Sequence, residues 1–348
     1  MSRFEILQGD CLDVMDLCIA DDSVQTCITS PPYFGLRDYG VAGQLGLENT
    51  PAEYVAKMVE VFRGVRRVLR DDGTLRLNLG DSYMPENRGE NAKPRKDYPA
   101  GMQAAHMHAD QPTRKSQIQA MKAAGFKRKD LLGIPWRVAL ALQADGWYLR
   151  QDIVWHKPNP MTESVRDRCT KAHEYIFLLS KSERYYFDNV AIGEPLAESS
   201  VKRLAQPTLG QQQGSDRVPG KTNGRMKVVY KGSLNGKDNS DSVPLRERVL
   251  LRGEPDGADL KAVKRNRRSV WTVTTKPFKG AHFATFPIDL IDPCVLAGSK
   301  PGDLVSDPFG GGGTTALAAL KHGRDAVLCE LNPEYIEIAR ARIEAATK

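Results

Sequence analysis

Asp303-Leu304-Val305-Ser306-Asp307-Pro308-Phe309-Gly310-Gly311-Gly312-Gly313-Thr314-Thr315 is the stretch whose reading decides the fold. Leu304 and Val305 read as part of a buried strand, and Asp307-Pro308-Phe309 ends it. Four glycines come next, and Thr314 to Lys321 reads as a helix. Here backbone amides gather at a helix N-terminus, and the missing side chains let a ligand approach the main chain. Ala326 to Cys329 reads as the next strand. It ends at Glu330, about twenty residues on, where an acidic side chain can bind both hydroxyls of a ribose. Dinucleotide-binding folds share this geometry, and a purely structural glycine turn is the plainer alternative. A Walker-type phosphate loop is excluded because its Lys-Ser/Thr signature is missing.

Working outward, Phe4 to Leu7 reads as a strand that turns at Gly9-Asp10. Val24 to Ile28 is a second strand. It opens into Thr29-Ser30-Pro31-Pro32-Tyr33. Two prolines fix two φ angles and remove two backbone donors. What remains is a rigid turn offering carbonyl oxygens, a hydroxyl and an aromatic ring, which suits a planar ring carrying an amino group. Pro51 to Leu69 has helical apolar spacing, with Thr50 as N-cap, Glu53 three residues on and Pro51 in the first turn. Asp71-Asp72-Gly73 reads as its stop and Thr74 to Leu79 as a strand. Lys129 to Asp145 reads as a helix leading into a strand over Tyr148 to Trp155. His173–Leu179 and Arg184–Phe187 alternate like an antiparallel pair. Phe286 to Leu296 and Pro333 to Ala346 read as helices. Alternating strands and helices predict a mostly parallel sheet covered on both faces.

Composition narrows the partners. The 348 residues carry a net charge of +7, and its placement is uneven. Lys93 to Lys129 holds nine Lys/Arg against two Asp/Glu, and Ser200 to Val270 holds sixteen against seven. The rest of the chain is net acidic. Two basic segments on an acidic remainder favour a polyanionic partner; two solvated loops are the bland alternative. The six cysteines are scattered, with no Cys-x-x-Cys pair, so neither a zinc site nor a disulfide framework is expected and a reducing cytoplasm fits. No apolar run approaches the roughly eighteen residues of a membrane span.

Asp307-Pro308-Phe309 ahead of the glycines resembles the S-adenosylmethionine loop of DNA methyltransferases, and Ser30-Pro31-Pro32-Tyr33 resembles their catalytic turn for amino groups. Together they make the chain similar to the DNA amino-methyltransferases of the β arrangement, in which the catalytic motif precedes the cofactor motif. Gly9-Asp10, Leu77 to Tyr83, Asp152 to Asn159, His173 to Phe177 and His282 to Pro287 resemble further segments of that family. The resemblance implies an α/β fold, a circularly permuted Rossmann-like arrangement with a mostly parallel seven-stranded sheet. The Asp307 strand would be central, flanked by the Ala326 and Phe4 strands on one side and the Val24 strand on the other. Residues 1–83, 130–192 and 269–348 would form the catalytic domain. Residues 84–129 would be a basic insertion and 193–268 the target-recognition region.

The resemblance also implies roles. Ser30, Pro31, Pro32 and Tyr33 would be catalytic: Ser30 and the Pro31 carbonyl accept the amino hydrogens, and Tyr33 stacks on a base flipped out of the helix. Asp10, Thr29, His282, Phe283, Thr285, Asp307, Phe309, Gly310, Gly311, Gly313, Thr314, Thr315 and Glu330 would bind S-adenosylmethionine. Arg37, Lys157, Arg166, Arg168 and Lys171 are candidates for contact with double-stranded DNA. His156 and Lys157 at a strand end would position DNA or be structural. Trp136, Trp147 and Cys294 read as core, and Cys294 lies before the cofactor loop rather than after it, unlike a carbon-5 nucleophile. No metal is expected. Serine in the first motif position is typical of cytosine-N4 enzymes and aspartate of adenine-N6 enzymes, so cytosine N4 is the expectation and adenine N6 the alternative. Methylation of RNA or of a protein amide, and a non-catalytic nucleic-acid binder, are the other readings. A cognate restriction endonuclease would be the companion of such an enzyme.

Overall fold

The computed structural model describes residues 3–36, 38–85, 114–204, 264–276 and 286–347. The chain forms two units, residues 1–191 with 268–348, and residues 192–267. The first unit opens with β1 (Phe4–Gln8), α1 (Cys11–Cys18), β2 (Val24–Thr29), α2 (Pro51–Val68) and β3 (Leu69–Leu79). It continues with α3 (Arg114–Ala123), α4 (Ile134–Ala144), β4 (Tyr148–His156) and β5 (His173–Ser180). In the second unit, β6 (Glu194–Pro195) pairs antiparallel with β7 (Lys264–Arg265), and α5 (Glu198–Leu204) lies between them in sequence. Arg265 and Glu194 form an ion pair at 3.3 Å there. The first unit resumes with β8 (Val270–Thr272), α6 (Ile288–Gly298), β9 (Leu304–Asp307), α7 (Thr314–Lys321), β10 (Asp325–Glu330) and α8 (Pro333–Thr347).

Eight strands of the first unit form one sheet in the order β1-β10-β9-β2-β3-β5-β4-β8. Every neighbouring pair is parallel except at β5, which runs against both β3 and β4. Thr26 pairs with Val305 and Cys27 with Ser306, so β2 lies beside β9. β1 lies beside β10, with Phe4 opposite Ala326. The expected permuted, mostly parallel α/β sheet is therefore present. Its strand count is eight rather than the expected seven. The extra strand, β8, adds only three residues to the edge at β4, too few for alternation to stand out.

Period-two alternation explains why both faces need helices. On β10, Val327 and Cys329 pack with α1, α2 and α4, while Ala326 and Leu328 pack with α6, α7 and α8. The face of α2 follows its sequence: Tyr54, Met58, Val61, Phe62, Val65 and Val68 are buried on one stripe. Its cap forms as expected, with Thr50 Oγ1 accepting from the Glu53 amide at 3.2 Å and Pro51 in the first turn.

Several boundaries differ from those the sequence predicts. β5 does not pair with residues 184–187; its partners are β3 and β4, with Leu77 opposite Phe177 and Ile153 opposite Ile176. β3 starts at Leu69 and runs through Asp71-Asp72-Gly73, where its pairing with β2 shifts register between Val24 and Thr26. A Cβ on Gly73 would stand 2.8 Å from the Arg70 carbonyl oxygen, so a glycine accommodates the irregularity. The 84–129 segment is not wholly irregular, since α3 lies within it. α4 begins at Ile134 rather than Lys129, because Gly133 takes the left-handed conformation at φ 70° just before it. α1 is an addition to the predicted elements; Asp10 caps it, accepting from the Leu12 amide at 2.8 Å. No helix among the described residues is long and apolar enough to cross a membrane.

Gly313 starts α7 with φ 74°, and a Cβ there would stand 3.1 Å from both Ala339 Cβ and Ile343 Cδ1 of α8. Gly313→Ala combines left-handed strain with that contact, so a loss of about 1–3 kcal/mol of stability is expected. A lowered urea midpoint at unchanged slope checks it.

Candidate active site

Parallel strands end on one side of the sheet, so the turns after β1, β2, β9 and β10 converge there. Gly9 and Asp10 come after β1, Ser30 to Tyr33 after β2 and Pro308 to Gly312 after β9, while Glu330 closes β10. These residues line one cavity of about 580 Å³. It sits where β2 and β9 adjoin and the chain order runs outward in opposite directions, the switch point at which such sheets bind ligands.

The Asp307 carboxylate ties the two loops together. Its Oδ1 accepts from Thr29 Oγ1 at 2.6 Å and from the Phe309 amide at 3.0 Å. Its Oδ2 accepts from Thr315 Oγ1 at 2.7 Å. Burial pushes the Asp307 carboxyl up, and the two hydroxyls and the amide oppose that. Thr29 and Thr315 are themselves fully buried and do not line the cavity. Both threonines hold the two loops together through Asp307.

The glycine loop is seated from below. Gly310 donates to the Cys329 carbonyl at 2.8 Å, and a Cβ on it would lie 2.9 Å from Leu328 Cβ. Glu330 Oε2 accepts from the Gly311 amide at 2.7 Å and Oε1 from the Asn332 amide at 2.8 Å. Burial raises its pKa against those two donors. Each oxygen keeps a further lone pair for the cavity. Phe309, Gly310, Gly311 and Thr314 line the same wall, while Gly313 supplies the turn behind it.

On the other wall, Tyr54 donates to the Pro32 carbonyl at 2.9 Å, which fixes the turn. Among the described residues no donor takes the Pro31 carbonyl. Ser30 Oγ donates to the Tyr33 hydroxyl at 3.3 Å. That hydroxyl faces Glu174 Oε2 at 2.9 Å and Asn78 Oδ1 at 3.1 Å. Burial, with the Glu174 charge second, pushes the Tyr33 phenol well above its ordinary value. Gly80 lies against the ring; a Cβ there would come within 2.5 Å of Tyr33 Cε2.

The chain is similar to known proteins over nearly its whole length. Residues 24–341 match the DNA methylase family. The chain belongs to that family. The type II methyltransferase M.Cfr9I of Citrobacter freundii is 40% identical over 339 residues, covering 97% of this chain and 87% of that protein. Among solved structures, the PvuII DNA methyltransferase (cytosine-N4-specific) aligns over 100% of this chain and 91% of its own, at TM-score 0.58 and 16% identity. A putative DNA modification methylase of Thermus thermophilus, TTHA0409, complexed with S-adenosyl-L-methionine, aligns over 99% and 95%, at TM-score 0.52 and 19% identity.

Within this methylase the expected DNA contacts fare differently. Lys157 pairs with Glu174 and lies over the Trp155 ring at 4.2 Å. Lys171 donates to the Asp81 carbonyl at 3.1 Å, and burial pushes its ammonium down. Both line the cavity. Arg168 pairs with Glu163 and covers the Tyr83 ring at 4.0 Å. Arg166 is exposed. His156 shares a 3.1 Å hydrogen bond with Thr272 of β8. Arg37, His282, Phe283 and Thr285 lie outside the described residues, as does most of both basic segments. Trp147 and Cys294 are buried, while Trp136 is 38% exposed and packs edge-on against Tyr175 and Phe177.

Sequence reasoning gives no role to Asn78, Glu174 or Tyr54. Asn78 and Glu174 meet because β3 and β5 are antiparallel neighbours, and only the polar ends of those strands hint at it. Asp307→Ala strands the buried Thr29 hydroxyl and the Phe309 amide, while Thr315 Oγ1 keeps the Ile28 carbonyl at 3.2 Å, at about 1–3 kcal/mol for each unsatisfied group. Calorimetry is expected to show a clearly lowered unfolding temperature.

Proposed function

We propose that this methylase moves a methyl group from S-adenosylmethionine to the exocyclic amine of a base flipped out of double-stranded DNA, and that the base is cytosine, modified at N4. The observation that carries the reading is a neutral serine, Ser30, whose one hydroxyl hydrogen is directed at Tyr33, beside the Pro31 carbonyl at the cavity wall. That arrangement presents two acceptors, which is what the two hydrogens of an amino group require.

The donor set fits the methyl donor. Asp10 and Glu330 supply carboxylates at the ends of β1 and β10, and the loop before α7 supplies backbone at a helix N-terminus. Glu330, oriented by two amides, would take the ribose hydroxyls. Asp10 Oδ1 already accepts from the Leu12 amide, so Oδ2 would face the adenine amino group. Acidic residues around the cavity suit a cationic ligand. When bound, that ligand offers a methyl group on a sulfonium.

The protein's own task is to repair a poor nucleophile. The lone pair of an exocyclic amine is delocalised into its ring. Ser30 Oγ and the Pro31 carbonyl, accepting both hydrogens, draw the nitrogen toward tetrahedral geometry and localise that pair. Tyr33, clamped at its hydroxyl and against Gly80, offers a fixed ring for the base to stack on. The contribution is orientation and electrostatics, without a covalent enzyme intermediate. The uncharged Ser30 favours cytosine N4 over adenine N6. The basic segments suit the phosphate backbone, Arg166 is a further, exposed candidate, and residues 193–268 are the proposed target-recognition region. As kin of a type II methyltransferase, the protein would have a cognate restriction endonuclease as companion.

Tritiated methyl transfer to unmodified DNA, with the product nucleoside identified by mass spectrometry, tests this. N4-methylcytosine is expected. N6-methyladenine would reverse the base assignment, and no incorporation into DNA would overturn the function. Tyr33→Ala is expected to abolish turnover and spare cofactor affinity.

Glu330 gives a pH prediction. Burial raises its pKa, so the carboxylate protonates at a higher pH than an ordinary glutamate. Lowering the pH through that raised value removes an acceptor, and cofactor affinity falls. Calorimetric titration from neutral into acid pH is expected to show the fall, and Glu330→Gln to flatten it while weakening binding roughly tenfold or more, as for a lost charged hydrogen bond.

A further inference from the structure

The hydrogen bonds behind Ser30 have a direction, and Glu174 sets it. Asn78 Nδ2 donates to the Tyr175 carbonyl at 3.0 Å, which turns Asn78 Oδ1 toward Tyr33 as an acceptor. Glu174 Oε2 is also an acceptor, and Oε1 is held by the Lys157 ammonium. The Tyr33 hydroxyl therefore meets two acceptors with one hydrogen. It must donate, and its oxygen is left to accept from Ser30. Ser30 has one hydrogen, and that bond uses it. Both remaining lone pairs of Ser30 are free for the cavity.

We propose that Glu174, held by Lys157, is the positioning residue that locks Ser30 as an acceptor through Tyr33, and that the same chain carries away the proton lost by the methylated amine. This rests on the amine-methylation reading above. As the nitrogen–methyl bond forms, the sulfur–methyl bond breaks with its electron pair remaining on sulfur, and the nitrogen becomes cationic. One N–H bond then breaks. Its proton passes to Ser30 Oγ, the Ser30 proton to Tyr33, and the Tyr33 proton to Glu174 Oε2. The base ends neutral and Glu174 ends as the acid. Each hydroxyl regains a hydrogen as it gives one up, so neither becomes an anion. This matters for Tyr33, whose burial disfavours the phenolate.

A locked acceptor discriminates. An amino base donates to Ser30, whereas a keto base at the same place sets a carbonyl oxygen against an oxygen lone pair. Without the Tyr33 hydroxyl, Ser30 is free to rotate and donate to that carbonyl. The test uses wild type, Tyr33→Phe and Glu174→Gln, once the methylated position is mapped on product DNA. Each protein is bound, with S-adenosylhomocysteine present, to a duplex carrying the natural base at that position. It is also bound to a duplex carrying its keto counterpart, uracil for cytosine or hypoxanthine for adenine. The ease of flipping a mismatched base is common to all three proteins, so the comparison is between their ratios. The keto-to-amino ratio is expected to shift toward the keto base by about tenfold in Tyr33→Phe, a difference of one hydrogen bond to a buried group. Glu174→Gln, whose amide can reverse the chain, is expected to shift it the same way.

In turnover, Glu174→Gln is expected to lose about a hundredfold or more in kcat, the range of a lost proton acceptor, with KM for DNA unchanged. Thermal midpoints separate these effects from unfolding. A Tyr33→Phe ratio equal to wild type, or a Glu174→Gln kcat equal to wild type, would overturn the inference. Wild type failing to methylate DNA at all would instead remove the functional reading beneath it.

Discussion

A buried carboxylate must find donors or unfold the place that buries it. Asp307 finds three, and they come from three elements: the end of β2, the turn after β9 and the start of α7. Ser30 is the residue after Thr29, and the glycine loop begins at Gly310, one turn beyond Asp307. The separation of the Ser30 turn from the glycine loop is thus set by one side chain whose two oxygens are both engaged. In-line transfer between two ligands tolerates little slack, and here the slack is removed inside the protein, before either ligand arrives.

The same logic governs the cations. Lys157 and Lys171 reach the cavity, yet each is engaged by an oxygen of the protein, one by Glu174 and the other by the Asp81 carbonyl. Engaged in place, both lysines stiffen the wall. The cavity wall thus carries the Asp10 and Glu330 carboxylates and the Ser30–Tyr33 hydroxyl chain.

Much of this is legible in the residues. The glycine loop after Asp307, the Ser30 turn, Glu330 and the neighbouring positions of β2, β9, β10 and β1 all follow from local pattern, because parallel strands bring consecutive motifs to one edge. What escapes depends on pairing. Alternation matches β5 with residues 184–187, which are near in sequence, whereas its partner β3 lies about a hundred residues earlier in the chain. With β5 so misplaced, Glu174 cannot be seen to face Tyr33, nor can Asn78. Gly80 looks like a strand end; its missing side chain makes room for a ring 47 residues away in sequence. Thr29 and Thr315 stand out in the motifs, but pattern alone does not reveal which way a hydroxyl beside a carboxylate points. Helix starts slip for a local reason, as at Gly133, whose left-handed backbone delays α4.

The bond between Thr29 and Asp307 spans 278 residues. On a ribosome adding about 5–20 residues per second, the two partners are made on the order of 15–60 s apart. Through that interval the early strand and its proline turn exist without the carboxylate that seats them. β1 waits similarly for β10. The cofactor crevice therefore has no nascent form, and a growing chain can present helices and a bare sheet edge but not a functioning enzyme. The crevice is complete only once β9 and β10, both made late, have joined β2 and β1.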